Sequence, residues 1–189
     1  MIPHSIVIDD FLPDFPGWRA WADELRYAPV KNPVDGVEYP GIYTTVPTFG
    51  MRQRLSMIMD AEIRLNALFL RLSLEGRQAP HYAHTDKIMG QFSCMVYLNR
   101  PEHCQGGTAL VRHRTGMDSH PRDEHEVSVW QRDTNRPEMW DVYSRCEMRA
   151  NRAFIFRADL MHAALPLGGF GHDAKDGRLV MTAFFDLCR

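Results

Sequence analysis

The sequence predicts a mainly β chain with flanking helices, and three observations carry that expectation. Five short runs of β-forming residues, Ala67 to Leu74, Gln91 to Leu98, Thr108 to Arg112, Ala153 to Arg157 and Leu179 to Leu187, are separated by Gly, Pro, Asn and Asp signals. That spacing is the pattern of an antiparallel β core. The helix signals fall in the first 66 residues. With 189 residues, 44% apolar and 24% charged, the chain is long enough to bury a core and a site, and its composition excludes a disordered or collagen-like protein.

Taken in order, Ser5 to Ile8 is a short β-rich run. Asp14 is then placed to cap a helix, with Pro16 in its first turn. Trp18, Trp21, Ala22 and Leu25 recur at helical spacing among charged neighbours, so the two tryptophans are expected on a buried face. From 28 to 50 the chain carries Pro29, Pro33, Pro40 and Pro47 with Gly36, Gly41 and Gly50. This density predicts a long loop that offers Tyr39, Tyr43 and Phe49 for contacts. Met51 to about Asn66 reads as a helix before the strand that opens at Ala67. The segment 112 to 149 is polar, mixes both charge signs and holds Trp130 and Trp140, which predicts an insertion made of a second hairpin plus a mobile loop. Both 28–50 and 112–149 are long enough to form lids. A single domain is expected over 1–189, with 1–66 as helical support and loop, and 67–189 as the β core that carries the insertion.

Lys plus Arg number 22 against 24 Asp plus Glu, a net charge of −2, so no general attraction to nucleic acid or anionic membrane is encoded. No apolar run approaches the roughly 18 residues of a membrane span, and MIPHSIVIDDFL lacks the features of a signal peptide, which predicts a cytoplasmic location. Cys94, Cys104, Cys146 and Cys188 lie far apart without a CxxC pair, as expected of separate reduced thiols and not of a structural zinc.

Among nine histidines, His84 and Asp86 stand two apart, and on an extended segment such residues project from one face, where they can hold one metal ion. His162 follows the apolar run AFIF inside ADLMHAALP, where an unpaired imidazole is costly; it is the candidate third ligand. Arg178 leads into the apolar run GRLVMTAFF and needs an anion, either a carboxylated cosubstrate or a protein carboxylate such as Asp159 or Asp186. His81 lies an odd number of positions from His84 and is expected to face away, while His113, His120 and His125 are expected at the surface of the insertion. Gly106 and Gly107 predict a tight turn.

The ordered set HTD (84–86), YLN (97–99), Gly106–Gly107, His162 and Arg178 resembles the iron(II)- and 2-oxoglutarate-dependent dioxygenases, nearest to their prolyl-hydroxylase-like branch. VIDDFLP and LFLRLSLEGRQAPHYAHTD are similar to the segments that precede the core in that branch. The resemblance spans most of the chain and fails mainly at 28–66 and 112–149. It implies a double-stranded β-helix, a cupin-like jelly roll of two antiparallel sheets, with the site at its open mouth. It further implies iron(II) on His84, Asp86 and His162, with positions left open for 2-oxoglutarate and O2, and Arg178 clamping the distal carboxylate of the cosubstrate. Tyr97 matches a tyrosine whose hydroxyl assists. One departure stands out: the family often has Ser or Thr two residues after the arginine, and here that position is Val180. One cosubstrate hydrogen bond is therefore either absent or moved to Thr182, which alternation puts on the same face.

The implied reaction converts 2-oxoglutarate to succinate while a C–H bond of an amino acid, a peptide or protein side chain, or a small metabolite is hydroxylated. Six Arg against seven acidic residues between 112 and 145 disfavour a nucleic-acid substrate. Two other readings share the motifs: a non-catalytic metal-binding module of the cupin type, and a repair-type oxygenase acting on nucleic acid.

Overall fold

The computed structural model describes residues 4–33, 36–77 and 80–188. Along these the chain forms β1 (Ser5–Ile8), α1 (Phe15–Asp23), β2 (Ala28–Lys31), β3 (Glu38–Tyr43), α2 (Phe49–Met59), β4 (Ile63–Ser73) and β5 (Phe92–Tyr97). There follow β6 (Gly107–His113), α3 (Glu124–Asp133), β7 (Trp140–Glu147), β8 (Ala153–Arg157), β9 (His162–Leu165) and β10 (Arg178–Leu187). The strands make two antiparallel sheets, a large one in the order β1-β8-β5-β10-β4-β3-β2 and a small one in the order β7-β6-β9.

Strand β10 shows why the sheets stack. From Arg178 to Phe185 every residue is buried, which an apolar strand achieves only when both its faces are covered. Leu179, Met181, Ala183 and Phe185 join a cluster with Phe11, Ala22 and Leu55 from the N-terminal region, so α1 and α2 cover the outer face of the large sheet. The alternate residue Val180 joins Tyr97, Phe154 and Phe156 with Leu110 and Cys146 of the small sheet, a cluster that lies between the two sheets. A third cluster, Ala109, Val111, Trp140 and Ala163 with Val129 of α3, covers the outer face of the small sheet.

The capped first helix matches expectation: the Asp14 carboxylate accepts from the Gly17 amide at 3.1 Å, and Trp18 and Trp21 meet edge to face at 5.5 Å against the large-sheet cluster. The segment 28–50 is not the predicted loop. Its β2–β3 hairpin extends the large sheet past β4, and α2 begins at Phe49. The prolines mislead because Pro29 lies on the sheet's edge strand and Pro40 at the irregular step of the hairpin, where no ladder amide is lost. Gly41, with φ of +70°, is required there, since a Cβ would lie 2.0 Å from the Leu72 carbonyl oxygen.

The boundary between α2 and β4 falls earlier than predicted. Asp60, at φ of 49°, ends the helix with neither Gly nor Pro to mark it, and β4 starts at Ile63. The segment 112–149 does not form a hairpin of its own: its strand β7 pairs with the core strand β6, from Gly107↔Glu147 to His113↔Trp140 with a register shift between Leu110 and Val111. What these enclose includes the unforeseen helix α3, capped by the Asp123 carboxylate on the Glu126 amide (2.8 Å) while the Glu126 carboxylate takes the Arg122 amide (2.8 Å). The four cysteines are free thiols. Among the described residues no helix is long and apolar enough to cross a membrane.

Candidate metal centre

His84, Asp86 and His162 come together, their donor atoms all within 4.8 Å of one another. His162 opens β9 opposite Leu110, and a two-way backbone bridge joins it to His84: each amide donates to the other's carbonyl, at 3.1 and 2.9 Å. The imidazoles lie 4.3 Å apart by ring centroids. Both Nδ1 atoms face backbone carbonyls, His84 that of Tyr82 (3.3 Å) and His162 that of Leu160 (3.0 Å). Donation there places the ring protons on Nδ1 and leaves both Nε2 lone pairs free for a metal. The His162 Nε2 is buried and hydrogen-bonded to nothing, although an Asp86 oxygen lies 3.2 Å away, a separation without hydrogen-bond alignment. This orphaned polar atom beside a carboxylate is what a divalent cation would satisfy. The Ser93 hydroxyl donates to Asp86 at 2.9 Å and fixes that carboxylate from behind.

Electrostatics agree with a ligand set. Burial, and then the adjacent His162, push the His84 imidazole down to about 3, so it is neutral at ordinary pH. Burial alone would raise the Asp86 carboxyl; the neighbouring histidines and the Ser93 hydroxyl outweigh it and hold it at about 2. His162 is drawn upward by Asp86 against its own burial. The His84 side chain is 25% exposed and that of His162 3%, so the centre opens on the His84 side.

The segment that carries His84 and Asp86 makes only a single bridge to a strand, and the insertion holds it instead. The Ala83 amide donates to the Thr134 carbonyl (3.0 Å), the Ala83 carbonyl accepts from the Trp130 indole (2.9 Å) and the Thr134 hydroxyl (2.7 Å), and Asn135 bonds the Tyr82 amide (2.8 Å) and the Pro80 carbonyl (3.0 Å). One histidine expectation changes accordingly, that for His113, while those for His81, His120 and His125 hold. His113 is buried, not at the surface, with Nε2 3.2 Å from the buried Asp133 carboxylate that Arg132 and Arg136 also hold. His120 is exposed as expected yet reaches Thr85, between the two candidate ligands, at 2.9 Å. His81 packs against Trp130 at 5.6 Å, outside the triad. His125 is exposed.

Behind the triad Arg178 is buried between the sheets. Its Nη2 donates to the Gly107 carbonyl at 3.2 Å, and its Nε has no hydrogen-bond partner. Neither suggested protein carboxylate serves it: Asp159 is paired with Arg157 at 3.0 Å, and Asp186 with Arg64 at 2.7 Å. Burial, reinforced by the nearby Arg71 charge, pushes the Arg178 guanidinium down to about 10, still charged at neutral pH. Gly107 has its carbonyl there because it adopts φ of +144°, with the site of a Cβ 2.0 Å from the Cys146 oxygen; instead of the predicted tight turn, the glycine pair leads into β6, where Gly107 pairs with both β7 and β9. Thr182 and Tyr97 face the same space. The Thr182 hydroxyl approaches the Met95 sulfur at 3.5 Å, whereas the Tyr97 hydroxyl donates to Thr108 (2.9 Å), with the Cys146 carbonyl at 3.4 Å as a second acceptor.

Asn99, quoted above only as part of a motif, brackets Arg178. Its amide donates to the Gly177 carbonyl (2.8 Å) and its oxygen accepts from the Leu179 amide (2.9 Å), all buried. Asn99→Ala is expected to cost about 2 to 4 kcal/mol by leaving both backbone groups unpaired. Urea denaturation measures this, and an unchanged midpoint would remove the role.

The family described as "Family of unknown function (DUF6445)" matches residues 3–185. No functionally curated protein matches the sequence. Among solved structures, the chain is similar to the non-heme alpha ketoglutarate dependent epimerase SnoN from nogalamycin biosynthesis, with a TM-score of 0.59 and 13% identity over 96% of this chain and 76% of SnoN. It is similar to iron-bound HygX from Streptomyces hygroscopicus, with a TM-score of 0.58 and 12% identity over 96% of this chain and 81% of HygX. A 2OG-Fe(II) oxygenase family oxidoreductase from Burkholderia pseudomallei matches with a TM-score of 0.54 and 10% identity over 96% of this chain and 85% of its own. At such identities the likeness shows a common fold.

Proposed function

The chain belongs to that family of unknown function, and from its site we propose that it is an iron(II)- and 2-oxoglutarate-dependent oxygenase built on a double-stranded β-helix. The observation that carries the proposal is Arg178, a buried cation with no carboxylate partner among the described residues, lying between the two sheets, the smaller of which carries His162 of a two-histidine, one-aspartate triad. A purely metal-binding module has no use for such a cation. A dicarboxylate whose near end is at the triad and whose far end meets Arg178 uses both.

In this reading His84, Asp86 and His162 hold iron(II) through Nε2, one carboxylate oxygen and Nε2. Iron, 2-oxoglutarate and O2 together supply the oxidising chemistry that yields succinate, carbon dioxide and an oxidised substrate C–H position. The protein's own part is positional. Backbone carbonyls of Tyr82 and Leu160 set the imidazole tautomers, Ser93 orients Asp86, and Arg178 binds the far carboxylate with a planar fork of donors. Thr182 and Tyr97 are placed to add hydrogen bonds, Tyr97 by turning its hydroxyl away from Thr108. The apolar lining, Leu110, Phe154, Phe156 and Val180, excludes water from the reacting centre. Hydroxylation of a small molecule or peptide is the outcome favoured here; SnoN, an epimerase, and SnoK, a carbocyclase, share the fold.

Succinate formation from 2-oxoglutarate, measured with iron(II) across a panel of amino acids, peptides and oligonucleotides, tests the proposal. At least one amino acid or peptide is expected to raise succinate above the uncoupled background, and oligonucleotides are not. Failure of the iron-loaded protein to bind 2-oxoglutarate at all would refute it.

A further inference from the structure

Arg71 is the charged side chain of the inter-sheet space that the reading above leaves unused. It lies on β4 opposite Val180 of β10, and cross-strand partners share a face, so it projects to the same side as Arg178 and Thr182. Asp86, both triad histidines and Arg178 all feel its charge. The residue as a whole is half-buried, its Nε is fully buried without a hydrogen-bond partner, and among the described residues the guanidinium makes neither a hydrogen bond nor an ion pair. The Tyr39 ring of the β2–β3 hairpin backs it, 5.5 Å from the guanidinium carbon. A guanidinium keeps its charge, and holding one partly withdrawn from water without an anion has a cost that a bound carboxylate would offset.

Charge balance says what is missing. A divalent metal, the Asp86 carboxylate, a dicarboxylate cosubstrate and the Arg178 guanidinium together sum to zero. Arg71 then adds one positive charge that no carboxylate among the described residues pairs with. We propose that Arg71, backed by Tyr39, binds a carboxylate of the substrate, so that the site selects acidic small molecules or carboxylate-bearing amino acids and peptides. This inference rests on the oxygenase reading. It also gives the paired strands β2 and β3 a function, since β3 supplies the ring behind the recognising arginine.

The test uses protein in excess over Mn(II), saturated with 2-oxoglutarate under nitrogen so that no turnover occurs. Acetate is titrated as the carboxylate probe and acetamide as its neutral counterpart, and broadening of their methyl proton resonances by Mn(II) reports binding beside the metal. Wild type is expected to bind acetate and not acetamide; Arg71→Gln should weaken acetate at least tenfold, and Arg71→Lys should retain part of it. The Arg71→Gln melting temperature should stay level or rise, because an unpartnered, half-buried cation has been removed. Equal acetate affinity in wild type and Arg71→Gln overturns the inference, as does a lower melting temperature with acetate binding intact. A tenfold loss of 2-oxoglutarate affinity in Arg71→Gln with acetate unaffected assigns Arg71 to the cosubstrate and also overturns it. If wild type itself fails to bind 2-oxoglutarate, the oxygenase reading falls first, and that failure is visible before any variant is made.

Discussion

Asp86→Asn is expected to leave a folded protein whose iron(II) affinity is reduced by at least about 100-fold, more than loss of an outer-shell partner usually costs. The substitution keeps shape and the contact to Ser93, and removes the one anionic donor of the triad. His162→Ala should abolish binding as well, but it also deletes a buried ring that packs 4.8 Å from Phe156, so its own stability must be measured. Thermal unfolding with and without Mn(II) separates the two effects. A metal at about 100 times its Kd stabilises the wild type by about 2.7 kcal/mol, and that gain should fall to about 0.4 kcal/mol or less in both variants. A full metal-induced rise in the melting temperature of Asp86→Asn would mean that the ion sits elsewhere.

For Arg178→Lys, 2-oxoglutarate affinity should fall at least about tenfold while iron affinity is nearly unchanged. The charge stays but the fork is lost, and a charge-assisted hydrogen bond is worth about 1.5 to 3 kcal/mol, against about 1.4 kcal/mol per decade of binding. Arg178→Met should be worse for the cosubstrate. The rival expectation, a structural ion pair, has lost its partners, since Asp159 and Asp186 are engaged by Arg157 and Arg64. Calorimetric titration of iron-loaded protein with 2-oxoglutarate decides the matter; unaltered affinity in folded Arg178→Met would leave a metal-binding module as the better reading.

The triad was legible because each part carried a local physical signal: i, i+2 spacing at His84 and Asp86, and an imidazole in an apolar run at His162. Alternation likewise put Thr182 with Arg178, and the register of β10 against β5 and β4 places both on the inner face. What was hidden depends on contacts made at a distance. Pro40 and Gly41 read as a loop because sequence does not reveal that the chain will lie against Leu72 of β4. His113 reads as a surface residue because its neighbours are polar; those same neighbours, Arg132 and Arg136, hold Asp133 in the interior for it. Arg71 was missed inside the run ALFLRLSL, where Leu68, Leu70 and Leu72 pack toward the helices and the arginine projects from the opposite face.

The fastening of residues 80–86 by the insertion sets an order of events when the protein is made. Chains emerge N-terminus first, and contacts between distant residues form late because their loops are entropically slow to close. Thr134 and Asn135, which bond Ala83 and Tyr82, follow them by 51 and 53 positions, and His162 follows later still. A nascent chain therefore displays His84 and Asp86 on an untethered segment, a poor chelator open to whatever cation is abundant. On the proposed reading, selective loading of the centre would belong to the finished fold, after synthesis has passed β9.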